Sequence, residues 1–150
     1  MHHHSFFIAG LFGLLLLPGC TQRPDDARLA PQPIEYDGKP ELEYRVNDAI
    51  VALDGYVDAD RDGRYIGMQF AGGEVLLKMT RHAKEERTYE ANGLAVTFGS
   101  IVYCACTGEG SQAVKGTLQV RRGEATYSTP FTGSDTELHS RECQEVGNGG

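Results

Sequence analysis

The stretch TYEANGLAVTF, residues 88–98, decides the fold of this chain. Two short runs with apolar side chains flank Asn92-Gly93, the dipeptide that two-residue hairpin turns favour because both of its positions need a positive φ. We therefore predict a β-hairpin here. The apolar run at residues 100–106 extends its second strand.

The same pattern recurs on both sides of this hairpin. Residues 64–70 and 74–79 alternate around Gly72-Gly73, and a further pair of runs flanks a turn at Arg122-Gly123. Short strands every 8–12 residues or so, with glycine at the turns, are typical of sandwiches and barrels. The predicted fold class is all-β, a small antiparallel β-barrel or sandwich of about seven to eight short strands.

Two stretches of the domain are less regular. Residues 42–57 contain enough apolar positions for one strand or two. Residues 81–87 are the best helical candidate, as one or two polar turns, because no strong 3.6-residue stripe occurs elsewhere.

The N-terminus carries an apolar run, residues 6–17, that is too short for a membrane span of about 20 residues and has the length of a signal-peptide core. It ends in Leu17-Pro18-Gly19-Cys20, which resembles the lipobox of bacterial lipoproteins. The resemblance implies cleavage before Cys20 and lipid on its thiol, and acyl chains there would anchor the protein to a membrane. We expect a bacterial envelope protein, lipid-anchored in the outer membrane and facing the periplasm.

The predicted organisation has four parts. After the lipidated cysteine, residues 21–41 contain four prolines among charged and small residues, which predicts an extended tether; the alternative is a strand partly docked near residues 34–36. The predicted bounds are 1–19 for the signal peptide, 20–41 for the lipidated cysteine and tether, 42–145 for the β domain and 146–150 for a flexible tail.

The net charge of −7 belongs wholly to the mature part, since residues 1–20 contain no Asp, Glu, Lys or Arg. An acidic surface argues against nucleic acid and favours basic partners or cations. Phosphate-binding loops and the common metalloprotease and hydrolase motifs are missing from the sequence. We therefore expect a binding module rather than an enzyme, and no cofactor.

One acidic loop resembles a calcium loop. Asp58, Asp60 and Asp62 occupy the first, third and fifth positions of an EF-hand pattern, with Gly63 at the sixth. The twelfth position is Gln69 instead of the bidentate glutamate. The two interpretations are a calcium site on the three aspartates and an acidic turn with solvated carboxylates.

The cysteines allow two arrangements. Cys104 and Cys106 lie two apart on a predicted strand, so both thiols share one face. In an oxidising compartment, Cys143 can form a disulfide with Cys104 or Cys106 and attach the C-terminal segment to the sheet. The alternative is a soft metal site formed by Cys104, Cys106, His139 and Cys143.

Residues 72–79, 87–94 and 97–98 are similar to the membrane-bound inhibitors of c-type lysozyme, small bacterial envelope lipoproteins with a β-barrel domain. The resemblance implies a basic protein partner such as c-type lysozyme, contacted by Lys84, Arg87 and Tyr89. The family's contact serine is replaced by Lys84, and no lysine follows Phe98. The alternatives are a metal-binding lipoprotein, a structural envelope component without a dedicated ligand, and a solvated charged connection at residues 82–87.

Overall fold

The computed structural model describes residues 24–56, 63–106 and 112–135. Within them, eight antiparallel strands form a closed barrel in chain order. The elements are α1 (Pro24–Leu29), β1 (Leu42–Val46), β2 (Ala49–Asp54), β3 (Tyr65–Phe70), β4 (Gly73–Ala83), β5 (Glu86–Ala91), β6 (Leu94–Cys106), β7 (Gln112–Arg122) and β8 (Ala125–Asp135).

Pairing of the first strand with the last closes the barrel. The β1–β8 register runs from Leu42↔Asp135 to Arg45↔Thr132, and every other strand pairs with its neighbours in sequence. Closure pairs the first strand with the last, whereas β2 and β3 share the single register pair Ala52↔Met68. The predicted all-β class is confirmed, and the barrel is the correct one of the two predicted architectures.

The predicted hairpins are all present. Asn92 and Gly93 have φ values of 49° and 77°, as the predicted two-residue turn requires. Residues 42–57, predicted to form one strand or two, contain β1 and β2, which are joined at Asn47 and Asp48 with φ values of 51° and 64°. Asn and Asp tolerate this left-handed conformation, so they make a tight turn without glycine.

Aromatic side chains fill the middle of the barrel. The rings of Tyr44 and Phe98 stack with their centroids 3.6 Å apart, and Phe131 meets both edge-on at 5.3 and 5.1 Å. Tyr89 lies edge-on to Phe98 at 6.1 Å. These four residues come from β1, β5, β6 and β8, so the cluster ties opposite sides of the barrel together.

The helix predicted at residues 81–87 is wrong. This segment forms the β4–β5 hairpin, in which His82 pairs with Arg87 and Ala83 with Glu86. The inward-facing residue here is charged Arg87, so the alternation of apolar and polar residues that marks a strand is hidden at this position.

Of the segment predicted as an extended tether, residues 24–41 are described, and they contact the barrel. The alternative of a segment partly docked near residues 34–36 agrees with the backbone hydrogen bond from Ile34 to β2. Residues 24–29 form helix α1, and Leu29 is buried in the barrel core. Residues 31–41, called the strap below, then run along the barrel wall beside β2 and β3, and Gln32 forms an antiparallel bridge with Gln69 of β3. The backbone amides of Gln32 and Ile34 donate hydrogen bonds to the carbonyls of Gln69 (2.8 Å) and Ile50 (2.9 Å). Burial of Leu29 and these hydrogen bonds contribute favourable free energy that opposes the entropy cost of ordering this proline-rich segment.

Helix α1 has six residues, and the described part of the chain contains no helix with the length and hydropathy needed to cross a bilayer.

Gly133 lies at the closing seam and provides a test of it. A Cβ atom there would clash with the carbonyl oxygen of Glu43 on β1 and approach Val114 Cγ2 at 3.2 Å. We expect Gly133→Ala to lower the free energy of unfolding by about 1–3 kcal/mol, because the backbone must shift at the seam. Urea denaturation measures the change. Gly72→Ala is the control, since a Cβ there meets no atom within 4 Å. Equal losses of stability in the two variants would contradict the close approach of β1 and β8 at Gly133.

Candidate functional site at the polar end of the barrel

The two ends of the barrel differ in their connections. At one end, two-residue turns join β1 to β2, β3 to β4, β5 to β6 and β7 to β8. Helix α1 lies at this end, with Arg28 beside residues 71–73 and Arg122. At the opposite end lie the β4–β5 hairpin, the ends of β2, β6 and β8, and the starts of β3 and β7. We call the first the turn end. We call the second the polar end, defined by Asp54, Lys84, Arg87, Tyr89, Tyr103 and Asp135.

A buried ion pair lies at the centre of the polar end. Arg87 Nη2 donates to Asp135 Oδ2 at 2.9 Å, and the two side chains are 3% and 0% exposed. Arg87 faces the interior because it lies two positions before the buried Tyr89 on β5. Such a pair needs good geometry, because burying both charges costs several kcal/mol of desolvation.

Two tyrosine hydroxyls complete the surroundings of this pair. Arg87 donates to Tyr44 Oη at 3.3 Å and to Tyr103 Oη at 3.5 Å. Tyr103 Oη also lies 3.5 Å from Asp135 Oδ2. Arg87 therefore connects side chains from β1, β5, β6 and β8 and acts as a brace across this end of the barrel.

A second buried carboxyl group lies nearby. Asp54 Oδ1 accepts from the amide of Gly55 at 2.9 Å, while its Oδ2 has no hydrogen-bond partner among the described residues. The Tyr89 hydroxyl and Arg87 Nε are likewise buried without a hydrogen bond of normal geometry in this part of the chain. Burial raises the pKa of Asp54, against the opposing influence of Tyr89 and Arg87. Burial also raises the pKa of Tyr89.

The raised pKa of Asp54 predicts a pH-dependent stability. Because the folded state holds this proton more tightly than the unfolded state, Asp54 lowers stability progressively as pH rises above the carboxyl group's unfolded value of about 4. We expect Asp54→Asn to raise the free energy of unfolding at pH 7 by about 1–3 kcal/mol and to have less effect at pH 4. Thermal denaturation between these pH values measures it, with exposed Asp37→Asn as control. A stabilisation that is constant across the pH range would contradict this interpretation.

The tip of the β4–β5 hairpin is held against β6. Tyr103 Oη donates to the Lys84 carbonyl at 3.1 Å, and the Lys84 ammonium lies 5.9 Å from the centroid of the Tyr103 ring. Ser100, with φ 52°, makes a bulge in β6, and the next amide, of Ile101, donates to the Glu85 carbonyl at 3.1 Å. Bulges of this kind reorient backbone groups. The hairpin tip is therefore positioned by three contacts from one neighbouring strand.

A surface cavity of about 330 Å³ lies beside the tip. It is lined by His82, Ala83, Lys84, Arg87 and Tyr103. Partial burial lowers the pKa of His82, and the positive charges of Arg87 and Arg64 lower it further. Lys84 supplies the exposed positive charge beside this cavity, because Arg87 is paired with Asp135 and the lowered pKa of His82 favours its neutral form.

The three residues predicted to contact a partner differ in their exposure to solvent. Lys84 is exposed at the hairpin tip, as partner contact requires. The prediction is wrong for Arg87 and Tyr89, which are 2% and 0% exposed because both occupy inward positions of β5. These two side chains support the hairpin from inside the barrel.

The other predicted site residues are only partly described. Cys104 is half-buried near the end of β6 and forms no disulfide within the described residues, and its carbonyl accepts from Gln112 Nε2 at 2.9 Å. The described residues contain no group of three or more His, Cys, Asp or Glu side chains arranged to hold a metal ion. The remaining predicted ligands and pairing partners lie outside the described residues; they are Cys20, Asp58, Asp60, Asp62, the Cys106 side chain, His139 and Cys143. The lipid, calcium, disulfide and soft-metal sites therefore stay predictions.

Sequence reasoning missed Asp54, Tyr44, Tyr103 and Asp135. The alternation of inward and outward residues along β5 does indicate that a buried partner of Arg87 must exist. Once the 88–98 hairpin is placed, Arg87 falls on the same face as Tyr89 and must point inward, which requires a buried partner. The sequence does not indicate which acid that partner is, since Asp135 lies 48 residues further along the chain.

No protein-family model, curated protein or solved structure matches this chain. The resemblance to lysozyme inhibitors therefore stays a prediction.

Proposed function

We propose that this protein is a bacterial envelope lipoprotein whose barrel is a binding module for a basic protein, with c-type lysozyme as the specific candidate, and not an enzyme. The lipid on Cys20 attaches it to the outer membrane on the periplasmic side. The polar end makes the contact, and Lys84 is the residue that enters the partner's site.

The observation that carries this proposal is the exposed Lys84 on a positioned hairpin. Tyr103 holds the Lys84 carbonyl, and the Arg87–Asp135 pair holds Tyr103. A contact residue fixed before binding loses less conformational freedom when the complex forms. A lysine on such a support suits a cleft that contains carboxylates, which is the chemistry of a lysozyme active site.

Long-range electrostatics favours the same kind of partner. The chain has a net charge of −7, so a strongly basic protein is attracted and its rate of association rises at low salt. Lys84 is a positive charge on this negatively charged protein, and it contacts carboxylates in the cleft of the basic partner.

The position of helix α1 supports an outward-facing polar end. Cys20 lies four residues before Pro24, and four residues span at most about 14 Å. Helix α1 packs at the turn end, while the 11-residue strands β7 and β8 span about 33 Å along their length. A lipid on Cys20 would therefore hold the turn end near the bilayer and leave the polar end accessible to a soluble partner.

An inhibition assay with mature protein and c-type lysozyme tests the proposal. We expect saturable inhibition at low ionic strength that weakens with added salt. We expect Lys84→Glu to weaken inhibition at least tenfold, which corresponds to about 1.4 kcal/mol, because a carboxylate would then face the partner's carboxylates.

Lys115→Glu is the matched control, since it makes the same charge change at an exposed position on the wall of β7. It should inhibit like the wild type. Unchanged lysozyme activity at a large excess of wild-type protein would contradict the proposed partner. Equal loss in the two variants would contradict the role of Lys84.

A further inference from the structure

A groove lies on the side wall of the barrel, between the strap and the outer face of β2 and β3. Its volume is about 320 Å³. We call it the strap groove and define it by Glu35, Tyr36, Leu53, Tyr56, Gly67 and Glu74. It shares no residue with the polar end.

The strap that forms one wall is attached to the barrel at both of its ends. Near the turn end, Gln32 and Ile34 make backbone hydrogen bonds to β3 and β2. Near the polar end, Glu41 Oε2 lies 4.0 Å from Arg64 Nη2. The groove is therefore a formed feature of the barrel wall, with the strap fixed to both of the strands beside it.

Two glycines leave space for side chains that line the strap groove. A Cβ on Gly67 would lie 2.8 Å from Glu74 Oε1, so the Glu74 carboxylate extends over the sheet at a point where no side chain intervenes. A Cβ on Gly38 would overlap the ring and hydroxyl of Tyr36. Glycine at both positions permits Tyr36 and Glu74 to lie where they line the groove.

The chemistry of the lining selects the charge of the ligand. Tyr36 and Tyr56 supply aromatic surface, and Tyr56 is 47% exposed, which is unusual for a large side chain in this structure. Glu35 and Glu74 are exposed, and neither makes an ion pair within the described residues. Leu53 is 4% exposed and contributes an apolar floor.

We propose that the strap groove binds the alkylammonium group of a lysine side chain. Its methylene chain would pack on Leu53, and its charge would lie between the tyrosine rings and the two carboxylates. Aromatic rings attract such cations because the face of the ring carries partial negative charge. The carboxylates exclude anionic ligands from the same place. The site is separate from the proposed lysozyme contact and does not depend on it.

NMR titration of the isotope-labelled full-length protein tests this site, with Nα-acetyl-lysine N-methylamide as the probe. We expect saturable shifts at the amides of Tyr56, Gly67 and Glu74, with a dissociation constant in the millimolar range. The norleucine analogue, which has the same chain without the charge, should bind at least fivefold more weakly.

Two variants locate the contribution of each part. Glu74→Gln and Tyr56→Leu should each raise the dissociation constant at least threefold, while Glu124→Gln, at the exposed β7–β8 turn, should leave it unchanged. Both groove variants change exposed side chains, and their amide spectra will verify that the fold is kept. Equal binding of the norleucine analogue, shifts confined to other surfaces, or unchanged affinity in Glu74→Gln would overturn the proposal. Choline binding as tightly as the lysine probe would overturn the assignment to lysine.

Discussion

Arg87→Ala is expected to lower the free energy of unfolding by about 3–5 kcal/mol, because it leaves the carboxylate of Asp135 buried without its main partner. This is a large share of the 5–15 kcal/mol that stabilises most domains. The same change removes the hydrogen bonds to Tyr44 and Tyr103. Chemical denaturation at pH 7 measures the effect.

A matched control separates burial from charge. Arg81 forms an exposed ion pair with Glu86 at 3.0 Å, with side chains 65% and 36% exposed. Arg81→Ala should therefore cost less than about 1 kcal/mol. The double variant Arg87→Leu/Asp135→Leu should recover most of the lost stability, since neither charge is then buried alone. If Arg87→Ala lowered the free energy of unfolding by as little as Arg81→Ala, the stabilising role of Arg87 across the polar end would be contradicted.

Phe98→Ala is the second change with a large expected effect, a loss of about 3–5 kcal/mol. Phe98 is fully buried and touches three other rings, Tyr44 at 3.6 Å, Phe131 at 5.1 Å and Tyr89 at 6.1 Å between centroids. Its truncation removes apolar contact and leaves a cavity between strands from opposite sides of the barrel. Thermal and urea denaturation both report it.

Val102→Ala supplies the comparison for Phe98→Ala on the same strand. Val102 is 53% exposed, so its truncation should change stability by no more than about 0.5 kcal/mol. Phe98→Leu should fall between the two, because it keeps most of the apolar volume. Similar effects of Phe98→Ala and Val102→Ala would contradict the arrangement of the aromatic cluster.

Much of the fold follows from local signals. The Asn92-Gly93 turn could be predicted because two adjacent residues with positive φ define it without reference to the rest of the chain. The hairpin at residues 65–83 was predictable from its two alternating runs around a glycine pair, although its turn is at residues 71–72, one position before that pair. The choice between barrel and sandwich depends on the β1–β8 pairing, which joins segments about 90 residues apart and leaves no local trace.

The predictions that failed depend on tertiary contacts. Residues 81–87 look polar because the inward-facing side chain is Arg87, and only the distant Asp135 makes that burial possible. The strap looks like a free linker because its order depends on Leu29 entering the core and on two backbone hydrogen bonds to β2 and β3. Composition describes a segment alone and carries no information about such partners.

The candidate site was predictable in part. The resemblance predicts contact by Lys84, which lies exposed at the hairpin tip. It also predicts contact by Arg87 and Tyr89, yet these two lie inside the barrel, since strand alternation turns both inward. The Tyr103 contact that positions Lys84 depends on a bulge at Ser100 and lay beyond what the sequence pattern indicates.

The most direct test of the polar end as the contact surface is amide hydrogen exchange of the mature protein with and without saturating c-type lysozyme. We expect slowed exchange in the complex at residues 82–86 and at Tyr103, with no change at the turns formed by residues 47–48 and 92–93. Protection at the turn end, or none anywhere on the barrel, would contradict it.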